Sequence, residues 1–224
     1  GGTVSQYQRW EIPGGATIER RAVVRTGPSG LLLGQTGDGR PVTVRIFRPD
    51  PTRVLVSTRD YMKWILVFRA VTIGAHATIL TATPRSWASL AQVVEASGGT
   101  VEITDQIGQI PGQGRPYRPS LIVDDLAASD GVRMSLGAWQ AVLIMNDASA
   151  SAAIHTLRAC DLTFVSPADS RASENLRRGY ALNQQQLRQL NNLAENELVV
   201  AMPRRLTRVI MPPTQIEYEM LFRG

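Results

Sequence analysis

Asp124 and Asp125 close the apolar run Ser120-Leu-Ile-Val, and two carboxylates at a strand end can hold a divalent metal beside a nucleotide. Such a site also needs backbone N–H groups and a lysine to take the phosphates. In a nucleotide-binding α/β domain these come from a glycine-rich loop where a strand hands over to a helix. Here the strand is Arg53-Val-Leu-Val-Ser57, and a helical run opens at Asp60. The junction reads Ser57-Thr58-Arg59-Asp60-Tyr61-Met62-Lys63, without a glycine. Lys63 is the only lysine in the chain. Asp124 and Asp125 therefore have two readings. One is the metal pair of an enzyme that binds a nucleotide or nucleotide-sugar. The other is a polar strand end whose side chains bond the neighbouring backbone. The missing phosphate loop favours the second, and with it a non-enzymatic assembly subunit with no catalytic residue, cofactor or metal.

The other candidate groups are poorly placed for chemistry. His76 and His155 have no Cys, Asp or Glu around them at zinc-ligand spacing. No Gly-x-Ser-x-Gly elbow presents a serine nucleophile. Cys160, the single cysteine, excludes an internal disulfide and reads as a buried structural thiol. Gly27-Pro28-Ser29-Gly30 and Thr36-Gly37-Asp38-Gly39 lie between strands, so they are hairpin turns and not phosphate loops.

The elements that must position these residues follow from periodicity. Residues 1–20 are a polar entering arm, and 21–224 form one α/β domain with a hairpin region at 21–47. Arg21–Thr26, Gly30–Gln35 and Pro41–Phe47 are strands. After residue 51 the pattern alternates strand and helix: strand 54–56, helix 60–73, strand 75–82, helix from 84 to the stop at Gly98-Gly99, strand 100–104. Thr83 is expected to cap the second helix. Strands at 120–124 and 139–145 precede a helix at 149–158 and a strand at 162–165. Ser166-Pro-Ala-Asp169 reads as a capping box, and Asn183 opens a helix with Leu187, Leu190 and Ala194 on its inner face. Strands at 198–202, 206–210 and 216–221 finish the chain. The expected fold is α/β: a mostly parallel, Rossmann-like sheet with helices on both faces and N-terminal and C-terminal β-hairpin additions. A distant likeness to FtsK-type translocation ATPases, in the order strand, helix, strand, Asp-Asp strand end, two short helices and a last hairpin, makes degenerate ATPase-like the other description.

Composition narrows the function. With 43% apolar and 19% charged residues, the chain is an ordinary globular domain. Its net charge of +5 is carried almost wholly by arginine, which suits bidentate carboxylate pairing at protein contacts. Aromatics at 6% are too sparse for a base-stacking platform, so no nucleic acid is expected. The stretch Trp64–Leu80 is interrupted by Arg69, Gly74 and His76 and is not a membrane span. The opening Gly1-Gly2, without methionine, reads as a trimmed start.

Several segments resemble the soluble domain of EccE, a membrane component of the type VII (ESX) secretion systems of actinobacteria. They are Thr26-Gly-Pro-Ser-Gly-Leu-Leu-Leu-Gly-Gln35, Gly39-Arg-Pro-Val-Thr-Val44, Arg53–Arg59, Val71-Thr-Ile-Gly-Ala-His-Ala77, Trp87-Ala-Ser-Leu90 and Pro212-Pro-Thr-Gln-Ile-Glu-Tyr-Glu-Met220. The resemblance implies a protein-transport role at the cell membrane, with the soluble domain on the cytoplasmic side and the membrane reached through an anchor outside this chain. It implies EccB, EccC and EccD as partners, a scaffolding task, no small-molecule substrate and no carried-over catalytic residue. Trp10, Arg115, Arg171, Arg177 and Arg178 are the residues proposed for partner contact.

Overall fold

A computed structural model describes residues 30–222. The entering arm with Trp10, and the strand expected at Arg21–Thr26, lie outside the described residues. Ten strands form one sheet: β1 (Gly30–Gln35), β2 (Pro41–Arg45), β3 (Thr52–Thr58), β4 (His76–Thr81), β5 (Val101–Thr104), β6 (Ser120–Asp125), β7 (Gln140–Met145), β8 (Leu162–Ser166), β9 (Glu197–Met202) and β10 (Arg205–Ile210). Their spatial order is β2-β1-β10-β9-β8-β3-β7-β6-β4-β5. The run β8-β3-β7-β6-β4-β5 is parallel, and the flank from β9 to β2 is antiparallel. The helices are α1 (Asp60–Thr72), α2 (Arg85–Ala96), α3 (Ala153–Ala159), α4 (Ser170–Tyr180), α5 (Gln184–Arg188) and α6 (Gln215–Phe222).

Strand alternation splits the core into two layers. Val54 and Val56 of β3, with Leu121 and Val123 of β6, meet Met62, Ile65 and Leu66 of α1 and Trp87 and Leu90 of α2. Leu55, Ile122, Val142 and Ile144 point to the other face, where Leu157 of α3 and Leu176 and Tyr180 of α4 cover them. The expected α/β architecture with helices on both faces is what the chain forms. The 36–39 turn closes the β1–β2 hairpin, with Gly39 at φ +88 and Thr36 N bonded to Arg40 O at 2.8 Å. At Gly34, where this ladder shifts register, a Cβ would fall 2.0 Å from Ile210 O, so only glycine lets β1 and β10 approach.

Four local expectations are corrected. Residues 216–221 form α6, not a strand: Thr214 Oγ1 accepts from Glu217 N (3.1 Å) while Glu217 Oε1 accepts from Thr214 N (2.9 Å), a capping box that starts a helix. The C-terminal hairpin is β9–β10 alone. Asp169, not Ser166, caps α4 by accepting from Ala172 N at 2.8 Å; Ser166 is the last residue of β8. Pro84 is the N-cap of α2, and Thr83 makes no side-chain cap bond there. α5 is only five residues long, and Ala194 beyond it is exposed.

Candidate functional site

The parallel strands change direction of travel around β3. From β3 the chain crosses through α1 to β4, beyond β7 and β6; from β7 it crosses through α3 to β8, on the other side of β3. The two crossovers pack on opposite faces. Where connections diverge in this way, the carboxyl ends of the strands open into a crevice, the place where open α/β sheets take ligands. Here it has a volume of about 560 Å³. Ser57 and Thr58 line it from β3, Lys63 from α1, and Asp125 from β6. Asn146, Asp147 and Ser149 follow β7, and Ser166, Pro167 and Asp169 close the side beyond β8.

The walls are tied together by hydrogen bonds. Ser57 Oγ accepts from Ala148 N at 2.9 Å, so the ends of β3 and the β7–α3 loop hold each other. Arg59, the N-cap residue of α1, donates through Nη1 to Ser166 Oγ at 2.6 Å and bridges to β8. Its side chain makes no cap bond to its own helix. The junction 57–63 turns from strand to helix without a left-handed residue, so it does not wrap a ligand as a glycine-rich loop would. Asp147 accepts from Ser149 N (2.9 Å) and Ser149 Oγ (2.8 Å), and these bonds hold its carboxyl below the usual range. It is therefore charged at neutral pH.

The two aspartates of β6 part company because adjacent strand residues face opposite ways. Asp124 is buried on the α3/α4 face, where it accepts from Ser129 Oγ and, at 2.8 Å, from Gly131 N. It organises its own loop, as the polar strand-end reading expects. Asp125 lines the crevice instead, and both of its hydrogen bonds fall on Oδ2: from Trp87 Nε1 at 2.8 Å and from Thr81 Oγ1 at 3.0 Å. The metal pair of the alternative reading is thus reduced to Asp125. Among the described residues no three His, Cys, Asp or Glu side chains gather as a metal cluster. Magnesium suits this arrangement, since it commonly takes one or two carboxylates and completes its shell with substrate phosphates and water.

The remaining candidates lie elsewhere. Arg115 is exposed on the loop before β6, at the opposite edge of the sheet from the crevice. Arg171, Arg177 and Arg178 are exposed on α4, where Arg177 pairs with Glu174 at 2.7 Å. The structure does not bring these arginines together with Arg115. His76 bonds Thr100 Oγ1 at 2.7 Å, and Cys160 is buried at the end of α3. Sequence reasoning missed Asn146, Asp147 and Ser149, whose common signal is their place just after a buried strand.

No protein-family model and no curated protein sequence matches the chain. Among solved structures it is similar to VirB4 of Thermoanaerobacter pseudethanolicus, at TM-score 0.58 and 8% identity over 84% of this chain and 98% of that one. It is also similar to the cytoplasmic domain of EssC (TM-score 0.48, 14% identity, 86% of this chain and 44% of that one). A third is the genome packaging NTPase B204 from Sulfolobus turreted icosahedral virus 2 in complex with AMPPCP (TM-score 0.46, 9% identity, 75% and 100%). At such identities the likeness is one of fold, and the fold is ATPase-like. The expectation of a non-enzymatic scaffold with no small-molecule substrate is corrected on two grounds: the chain shares the fold of VirB4, and it opens a crevice at the ligand-binding edge of its own sheet. The physical error lay in judging the site from one loop. The absence of glycine removes a backbone cradle, but side chains from β3, α1, β6 and β7 still form the walls. Among the described residues no helix is long and apolar enough to cross a membrane.

Proposed function

We propose that this chain is a nucleotide-binding domain of ATPase-like build, which binds a nucleoside triphosphate as its divalent-cation complex in the crevice and hydrolyses it. One observation carries the reading: Lys63 and Asp125, the residue types that phosphate and its cation require, line the same crevice at the point where the sheet's crossovers diverge. Lys63, near the start of α1, meets phosphate as a point charge. The Ser57 and Thr58 hydroxyls lie on the same wall. Three carboxylates, those of Asp125, Asp147 and Asp169, outnumber this one lysine in the lining. A bare polyphosphate would be repelled, so the cation is part of the ligand and supplies the charge neutralisation that phosphoryl transfer needs. The EccE-like segments support a setting in a type VII (ESX) secretion complex, on the cytoplasmic side of a membrane.

The test is calorimetric titration of the protein with ATP, GTP and UDP-glucose, each with Mg²⁺ and each with EDTA, followed by phosphate release. Mg²⁺-dependent binding that Lys63→Ala weakens about tenfold or more is expected. No heat from any of the three at millimolar concentration with Mg²⁺ would overturn the reading.

A further inference from the structure

Asp125 reaches the crevice already held from behind. Trp87, 4% exposed on α2, donates its indole N–H to Oδ2, and Thr81 at the end of β4 donates its hydroxyl to the same oxygen. Thr81 Oγ1 also accepts from Thr83 N at 3.0 Å and lies 3.2 Å from the Thr83 hydroxyl; its own hydrogen serves the carboxylate, which has none to give. Two donors from two elements on one oxygen restrain the rotamer and leave Oδ1, among the described residues, without a hydrogen bond on a residue that lines the crevice. A core tryptophan needs only some acceptor for its N–H. This one uses the charged group that the crevice also needs.

We propose that Trp87 is a positioning residue for a divalent cation brought in on nucleotide phosphates, acting by orienting Oδ1 of Asp125 toward that cation. The proposal rests on the nucleotide reading above. Ligand carboxylates are commonly held by such outer hydrogen bonds, and their loss costs about 10–100-fold in metal affinity. Trp87→Phe keeps a buried aromatic ring and removes the N–H together with the rest of the pyrrole ring.

The experiment is calorimetry on the whole chain with Mn²⁺·ATP and, separately, with ATP in EDTA. Trp87→Phe should weaken Mn²⁺·ATP about tenfold, while metal-free ATP, which the carboxylates of the crevice repel, should bind weakly to the native chain and the variant alike. In an Asp125→Asn background it should add nothing, because the two act through one bond. Native emission should change on adding Mn²⁺·ATP by an amount that Trp87→Phe removes. If Trp87→Phe fails to fold, Thr81→Val removes the other donor and should act in the same direction. Native-like Mn²⁺·ATP affinity in whichever variant folds overturns the positioning role while leaving nucleotide binding intact. Absence of ATP binding by the native chain in both conditions removes the nucleotide reading itself, and this proposal with it.

Discussion

Arg69 and Glu217, 148 residues apart, form a buried two-point ion pair, Nε to Oε2 at 2.8 Å and Nη2 to Oε1 at 2.9 Å. The guanidinium also donates to the carbonyls of Leu32, Leu33 and Pro212, so α1, β1 and the lead into α6 converge on one cation. Glu217 is at the same time the back-bonding residue of the α6 capping box. A buried charge left without its partner is far costlier than the pair is stabilising. Glu217→Ala should therefore lower stability by about 3–5 kcal/mol in urea unfolding. Arg69→Met combined with Glu217→Leu should recover much of that loss. Equal stability of Glu217→Ala and the native chain would show that the pair is hydrated.

The parallel sheet was legible because Val54–Val56, Ile79–Leu80, Leu121–Val123 and Ala141–Ile144 are unbroken apolar runs, as strands buried on both faces must be. Residues 216–221 misled because Ile216, Tyr218 and Met220 alternate with two glutamates, a strand-like period. Ile216 and Tyr218 are in fact exposed on α6 while Glu217 is buried, the reverse of what hydrophobicity suggests. The capping sequence Thr214-Gln-Ile-Glu217 was the signal that outweighed it. The site was half legible. Asp125 stands out at a strand end, but nothing local tells it from Asp124 until strand register assigns them to opposite faces. Lys63 was visible; that it lines one crevice with Asp147 depends on β7 pairing with β3, a non-local fact.

Cys160 should behave as an inert thiol. Burial, with Asp161 adding to it, raises its pKa from the ordinary 9.0 to about 12, against a smaller opposing effect of Arg53. At pH 8 its reaction with iodoacetamide should be on the order of 100-fold slower in the folded chain than in urea. The raised value also fixes the sign of its linkage. The unfolded thiol ionises first, so the stabilisation is whole below pH 9 and is lost as pH rises toward 12. Cys160→Ala should flatten that part of the alkaline stability profile. Labelling at the unfolded rate would contradict the burial.

Glu197 and Arg208 supply the acid-side counterpart. Arg208 holds the Glu197 carboxylate by two hydrogen bonds, at 3.0 and 2.7 Å, and Ala194 N adds a third at 2.8 Å. These bonds, Arg208 first, pull the pKa of Glu197 below its ordinary 4.5. A depressed carboxylate stabilises the fold above pH 4.5 and loses that contribution as pH falls through the folded value. In Glu197→Gln, stability measured between about pH 5 and pH 2 should fall less steeply than in the native chain. An unchanged slope would mean that the β9–β10 hairpin does not depend on this charge.

Asp124 and Asp125 give the sharpest functional contrast, because they are adjacent and predicted to fail differently. Asp125→Asn keeps an acceptor for Trp87 but removes the charge at the crevice, so it should abolish the Mg²⁺ dependence of nucleotide binding while barely shifting the melting temperature. Asp124→Ala leaves the buried N–H of Gly131 without its acceptor and leaves the Ser129 hydroxyl only its bond to Leu126 O. It should cost about 1–3 kcal/mol of stability and leave the Mg²⁺ dependence in place. Paired thermal melts and titrations with ATP, with and without Mg²⁺, separate the two. If Asp124→Ala loses the metal dependence while the Asp125→Asn protein keeps it, the face of β6 assigned to the ligand is the wrong one.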